Sequence, residues 1–192
     1  MTPEGTKARS EEIEIKLPCD DLDRMRGTLR QAGASLRAAL HAESNVLFDD
    51  ARAELSQRGC ALRIRTAGAD VILTFKGPAR FEQGVKIREE REVLVSSAGE
   101  AAAILSGLGF LPGFRYDKRR EEWELAGCAV ALDETPIGRF IEIEGNPASI
   151  RRALADLGLD FSEAIPYSYA ALYARKRRED PRLPPDMTFE DR

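Results

Sequence analysis

Three cysteines, Cys19, Cys60 and Cys128, in 192 residues are too few and too scattered for a disulfide framework or a zinc site. A reducing, cytoplasmic setting is therefore the expectation. The single histidine, His41, falls ahead of the second predicted strand and reads as a surface or hydrogen-bonding residue, not a catalyst. No apolar run near the N-terminus suits a signal peptide, and no stretch approaches the length of a membrane span. A formal charge of −4 shows no sign of bulk nucleic-acid binding. Internal repeats and low-complexity segments are missing too.

What the chain does have is 43% hydrophobic and 32% charged residues, enough to bury a real core in one domain. Residues 1–10 read as a loose leader, 11–178 as the domain and 179–192 as a Pro-rich, charged tail. Glu12-Ile13-Glu14-Ile15-Lys16 alternates with period two. As a strand it sends Ile13, Ile15 and Leu17 to one face and Glu12, Glu14 and Lys16 to the other. Strands with the same alternation are predicted at 61–66, 71–76, 85–95, 114–125, 128–133 and 139–144, with a further strand at 44–49. A polar connector is expected through Gly59. Helices are predicted from Asp20 or Asp21 to Gln31, over 98–107, from Pro147, and over 167–178.

Short turns favour antiparallel neighbours, and the helices interrupt the strand series without alternating with it. The expected class is α+β, an eight-stranded antiparallel closed β-barrel flanked by helices. Collecting one phase of every strand gives Lys16, Arg63, Arg65, Lys76, Lys86, Arg88, Lys118 and Arg120. The same phase holds Glu12, Glu14, Glu90, Glu92, Glu122, Asp133, Glu142 and Glu144. Aliphatic residues fill the opposite phase, where the apolar stripes of the helices need a surface to dock on. The charges are therefore predicted to face inward.

Burying so many ions costs on the order of several kcal/mol each before compensation. A ligand offsets that cost. Arginine and lysine hold phosphate oxygens, and clustered carboxylates are the hard donors that Mg²⁺ or Mn²⁺ prefers. The pattern thus predicts a small-molecule polyphosphate substrate, with no nucleic acid or membrane partner. It leaves monomer and homodimer open.

Glu12–Lys16 resembles the ExExK signature of the CYTH superfamily, the triphosphate tunnel metalloenzymes. The resemblance extends through Leu62-Arg63-Ile64-Arg65, Phe75-Lys76-Gly77, Arg88–Glu92, Lys118-Arg119-Arg120, Leu132-Asp133-Glu134, Phe140–Glu144 and Ser168-Tyr169. It implies metal ligation by Glu12, Glu14, Glu142 and Glu144, with Asp133 and Glu90 or Glu92 nearby. It also implies phosphate binding by Lys16, Arg63, Arg65, Lys76, Arg88, Lys118 and Arg120. Glu12, Lys76 and Glu144 are the catalytic candidates it marks.

Sites of this type run two reactions: hydrolysis of a triphosphate, and cyclisation of ATP to cyclic AMP and pyrophosphate by class IV adenylate cyclases. Hydrolysis of tripolyphosphate or a nucleoside triphosphate is the first expectation and cyclisation the alternative. A non-catalytic polyphosphate- or nucleotide-binding module is the third reading. Thiamine triphosphate is a poorer match, because thiamine triphosphatases carry a tyrosine in the second strand where this chain has Leu47-Phe48.

Overall fold

A computed structural model describes residues 10–82 and 84–189. The leader expected at 1–10 therefore lies outside the described residues except for Ser10, as does the very end of the tail. The elements run β1 (Ser10–Pro18), α1 (Leu22–Gln31), β2 (Ser35–Asp49), α2 (Glu54–Gln57), β3 (Ala61–Ala67), β4 (Asp70–Lys76), β5 (Arg80–Glu82) and β6 (Val85–Val95). They continue with α3 (Ala98–Gly107), β7 (Leu111–Leu125), β8 (Cys128–Thr135), β9 (Gly138–Glu144), α4 (Pro147–Leu157), a 3₁₀ turn (Phe161–Glu163) and α5 (Tyr169–Glu179).

Every pairing between strands is antiparallel, in the order β1-β9-β8-β7-β2-β3-β4-β6, and β6 pairs back onto β1 to close an eight-stranded barrel. The ninth strand, β5, is a three-residue addition to β6. The fold is α+β, as expected. The β3–β4 connection is a two-residue hairpin turn, with Ala67 opposite Asp70 and Gly68 at φ 58°, a backbone conformation that favours glycine.

The barrel is inverted relative to an ordinary hydrophobic sheet. Ile15, Leu17, Val130, Leu132, Ile141 and Ile143 point outward and are buried beneath α1 and α4, whose Leu29, Ile150, Ala153 and Leu154 complete the main core. A second outer cluster seats α3 through Ala101 and Leu105 on Phe48 and Ile64. Local signals fix these helices. Asp21 caps α1 by accepting from the Arg24 amide. Asn146 caps α4, Pro147 opens it and Gly158 closes it at φ 64°, each residue suiting its position.

Several sequence expectations need correction. The second strand starts at Ser35, not at 44, so His41 lies inside β2 and not ahead of it. The connector before Gly59 holds the single turn α2. Residues 180–189 do not trail away. Met187 is 1% exposed and bridges to Tyr116, and the Tyr173 hydroxyl donates to the carbonyl of Pro184. No helix among the described residues is long and apolar enough to cross a membrane.

Candidate active site

Because side chains alternate along each strand, the residues that do not meet the helices meet each other inside the barrel. Opposite charges stand in register across neighbouring strands: Glu12 with Arg88 and Glu14 with Lys86, Lys16 with Glu142, Lys76 with Glu90, Arg120 with Asp133 and Glu43 with Lys118. Such cross-strand pairs are the unit of sheet stabilisation. Here they also neutralise the lumen.

The contacts follow this register. Lys76 Nζ lies 2.7 Å from Glu12 and 3.0 Å from Glu90. Arg88 Nε donates to Glu12 at 2.8 Å, and Lys86 to Glu14 at 2.5 Å. Lys16 Nζ is 3.1 Å from Glu142. Arg120 grips Asp133 with both Nε and an NH2 nitrogen at 2.7 Å and also reaches Glu142. Arg63 and Arg65 share Glu92 at 3.5 and 3.6 Å. All the predicted charged-phase residues except Glu92 and Glu144 are buried or half-buried.

Two regions differ in electrostatic character. Around β7, β8 and β9, burial of Glu142 works against ionisation, yet Lys16, Arg120 and Lys118 hold its carboxyl well below the usual range. Asp133 is fully buried, and its oxygens are taken by Arg120, by the Tyr169 hydroxyl at 2.7 Å and by Lys118. Toward the rim the balance reverses. Glu144 reaches solvent at the rim, yet partial burial of its carboxyl, together with Glu12, Glu90 and Glu14 nearby, pushes it up to about 7. Glu144 has no ion-pair partner among the described residues. Carboxylates in excess of cations are the donor set that a divalent cation fits. By contrast, the oxygens of Asp133 are already spoken for.

The phosphate side carries a different signature. The Arg63 and Arg65 Nε nitrogens, and both ends of the fully buried Asn45 amide, have no hydrogen-bond partner. Asn45 stands opposite Arg65 and Tyr116. Buried unsatisfied polar groups are costly, and these lie on the adjacent strands β2 and β3.

One end of the barrel is stopped. Tyr116, Phe140, Tyr169, Tyr173 and Met187 form a buried cluster with Leu47 and Phe114 packed against it. Ser168 caps α5 and delivers Tyr169, whose ring lies 3.7 Å from the Lys16 ammonium. Tyr169 thus helps to close one mouth of the barrel. At the opposite end, Glu144 and the 69%-exposed Leu94 mark the rim.

Sequence reasoning missed Glu43, which is 2% exposed and in contact with Lys118 at 3.2 Å. Despite its burial, Lys118, Arg120 and Arg65 bring its carboxyl down to about 2. Its alternation with Asn45 and Leu47 was the available signal. Trp123 faces the outer core, not the lumen.

This closed barrel with a charged interior is a known architecture, and residues 10–163 match the CYTH domain. The chain belongs to the CYTH domain family. A protein from Vibrio parahaemolyticus described as a candidate adenylate cyclase superposes with a TM-score of 0.74 at 19% identity, covering 86% of this chain and 99% of that one. A Pyrococcus horikoshii protein gives 0.71 at 27% identity, with the same coverage of 86% and 99%. A Hippeastrum candidate adenylyl cyclase, described as having a dominant triphosphatase activity, gives 0.61 at 22% identity over 86% of this chain and 96% of that one. No curated protein matches the sequence significantly.

Proposed function

We propose that the chain hydrolyses a linear triphosphate, tripolyphosphate or a nucleoside triphosphate, inside the barrel with the help of a divalent metal. The observation that carries this is the pairing, in one closed lumen, of unpartnered buried arginine nitrogens with a carboxylate cluster lacking enough cations. The triphosphatase activity described for the Hippeastrum relative supports the same chemistry.

A Mg²⁺ or Mn²⁺ ion held by Glu12, Glu14, Glu90 and Glu144 would neutralise phosphate oxygens and acidify water. The remaining work falls to the chain. Arg63, Arg65, Lys118 and Arg120, with Lys16 and Arg88, exchange carboxylate partners for phosphate oxygens, arginine doing so through forked donors. Lys76, held between Glu12 and Glu90, shifts onto the phosphoryl group as charge develops there. Glu144, ionised when a cation offsets its acidic neighbours, accepts a proton from the attacking water. Asp133, Glu142 and Glu92 position these basic side chains before substrate enters, a refinement of the metal role that the family resemblance implies for them. The setting we infer is cytoplasmic, with the protein a monomer or homodimer and the catalytic unit spanning 11–178.

The test is incubation of the full chain with Mg²⁺ or Mn²⁺ and either tripolyphosphate or ATP. Orthophosphate release is expected, with Arg65→Ala raising KM at least roughly tenfold, the loss of about one charged hydrogen bond. Pyrophosphate with cyclic AMP would instead make the protein a cyclase. Tight binding of either compound without turnover would make it a binding module.

A further inference from the structure

We propose that His41, Glu43 and Glu122 form a site for a transition-metal ion, distinct from the carboxylate cluster around Glu144. The three residues sit on the neighbouring strands β2 and β7, in the phase that faces the lumen. One ligand atom from each lies within 4.8 Å of the others. Two register irregularities between Leu36 and His41 re-aim this part of β2, as bulges do beside sites.

The imidazole is oriented as a ligand would be. His41 Nδ1 is 2.9 Å from the carbonyl oxygen of Ala39. A carbonyl only accepts, so Nδ1 carries the hydrogen and the lone pair of the neutral ring is on Nε2. Metal-binding histidines are fixed by this same kind of support from the far nitrogen. Nε2 faces Glu43 Oε1 at 3.6 Å. Two electron-rich atoms thus point at one another with space for a cation between them.

The carboxylates are available. Glu43 is 2% exposed, and its Oε2 accepts no hydrogen bond, although the Lys118 ammonium is 3.2 Å away. Arg65 approaches Oε1 only to 4.0 Å. Both cations have a second carboxylate, Asp133 for Lys118 at 3.5 Å and Glu92 for Arg65 at 3.6 Å. Neither is left unpaired if Glu43 turns to a metal. Glu122, half-buried, has no hydrogen bond or ion pair among the described residues. One imidazole nitrogen with two carboxylates suits Zn²⁺, Co²⁺ or Ni²⁺, whereas Mg²⁺ is held by oxygen alone. Three protein ligands also leave a position for water or a phosphate oxygen.

His41 is the only histidine of the chain, so its ring signals in nuclear magnetic resonance are unambiguous. Zn²⁺ titrated into metal-free full-length protein should shift the His41 Nε2 resonance at one equivalent, while Mg²⁺ should not. His41→Ala and, separately, Glu122→Gln should each weaken Zn²⁺ binding measured by calorimetry, by at least the roughly 10- to 100-fold lost with a supporting group. A His41 signal that responds to pH but not to Zn²⁺ would show that only a proton bridges Nε2 and Glu43, and would overturn the site. Equal Zn²⁺ affinity in wild type and both variants would do so as well. Neither result bears on Mg²⁺-dependent orthophosphate release, which tests the proposed hydrolysis separately.

Discussion

Replacing Glu144 by glutamine isolates the electrostatic imbalance at the rim of the barrel. In the folded, metal-free chain the Glu144 carboxyl rises from 4.5 to about 7. Between those values the folded protein holds a proton that the unfolded chain has released. This group's contribution to stability therefore falls as pH rises through that window and is lowest above about 7. At about 1.36 kcal/mol per pH unit, the full displacement from 4.5 to 7 sets an upper limit of about 3 kcal/mol. Glu144 is exposed to solvent at the rim, and screening reduces the expected effect to about 1 kcal/mol.

In a chain of this size, that corresponds to about 2–4 °C in Tm. Glu144→Gln should therefore melt about that much higher than wild type at pH 8 without metal, and at the same temperature at pH 4. Saturating Mg²⁺ should raise the wild type at pH 8 and leave the variant nearly unmoved. The measurement is thermal denaturation followed by circular dichroism over this pH range. If the two proteins show the same pH slope, the carboxylates do not repel one another in the folded state, and the basis for placing a cation there is gone.

Arg120→Ala leaves fully buried Asp133 without its two-pronged partner, and should cost about 3–5 kcal/mol in urea denaturation. Tyr169→Phe removes one hydroxyl donor from Asp133. It should cost about 1.5–3 kcal/mol by the same assay while leaving the ring over Lys16. Gly145→Ala places a Cβ 2.7 Å from Cys128 Sγ and should destabilise by about 1–3 kcal/mol. Adding Cys128→Ala should recover part of that loss, whereas an additive double mutant would refute the clash.

The direction of the barrel was legible wherever period two held without interruption. Ile13 and Ile15 against Glu12 and Glu14, or Ile141 and Ile143 against Glu142 and Glu144, specify both faces of a strand in a few residues. Strand β7 was harder, because Glu121 is charged yet faces outward. There it meets Arg26 of α1 at 2.6 Å, so both phases of the strand carry charge. The first half of β2 was not legible at all. Ser35–Leu40 is Ala-rich and unalternating, and its irregular register interrupts the period on which strand recognition depends. That gap hid Glu43 and misplaced His41. Residues 180–189 have the composition of a tail, but Met187 and Leu183 find an aromatic surface that exists only once the barrel has closed.

The aromatic stopper beneath Tyr169 makes the lumen a cul-de-sac. Any molecule threaded into it must back out through the entrance it used. If such a molecule is cut in place, the inner fragment cannot depart until the outer one has cleared the way. Release is then ordered by position, and the outer product should be the weaker inhibitor against entering substrate.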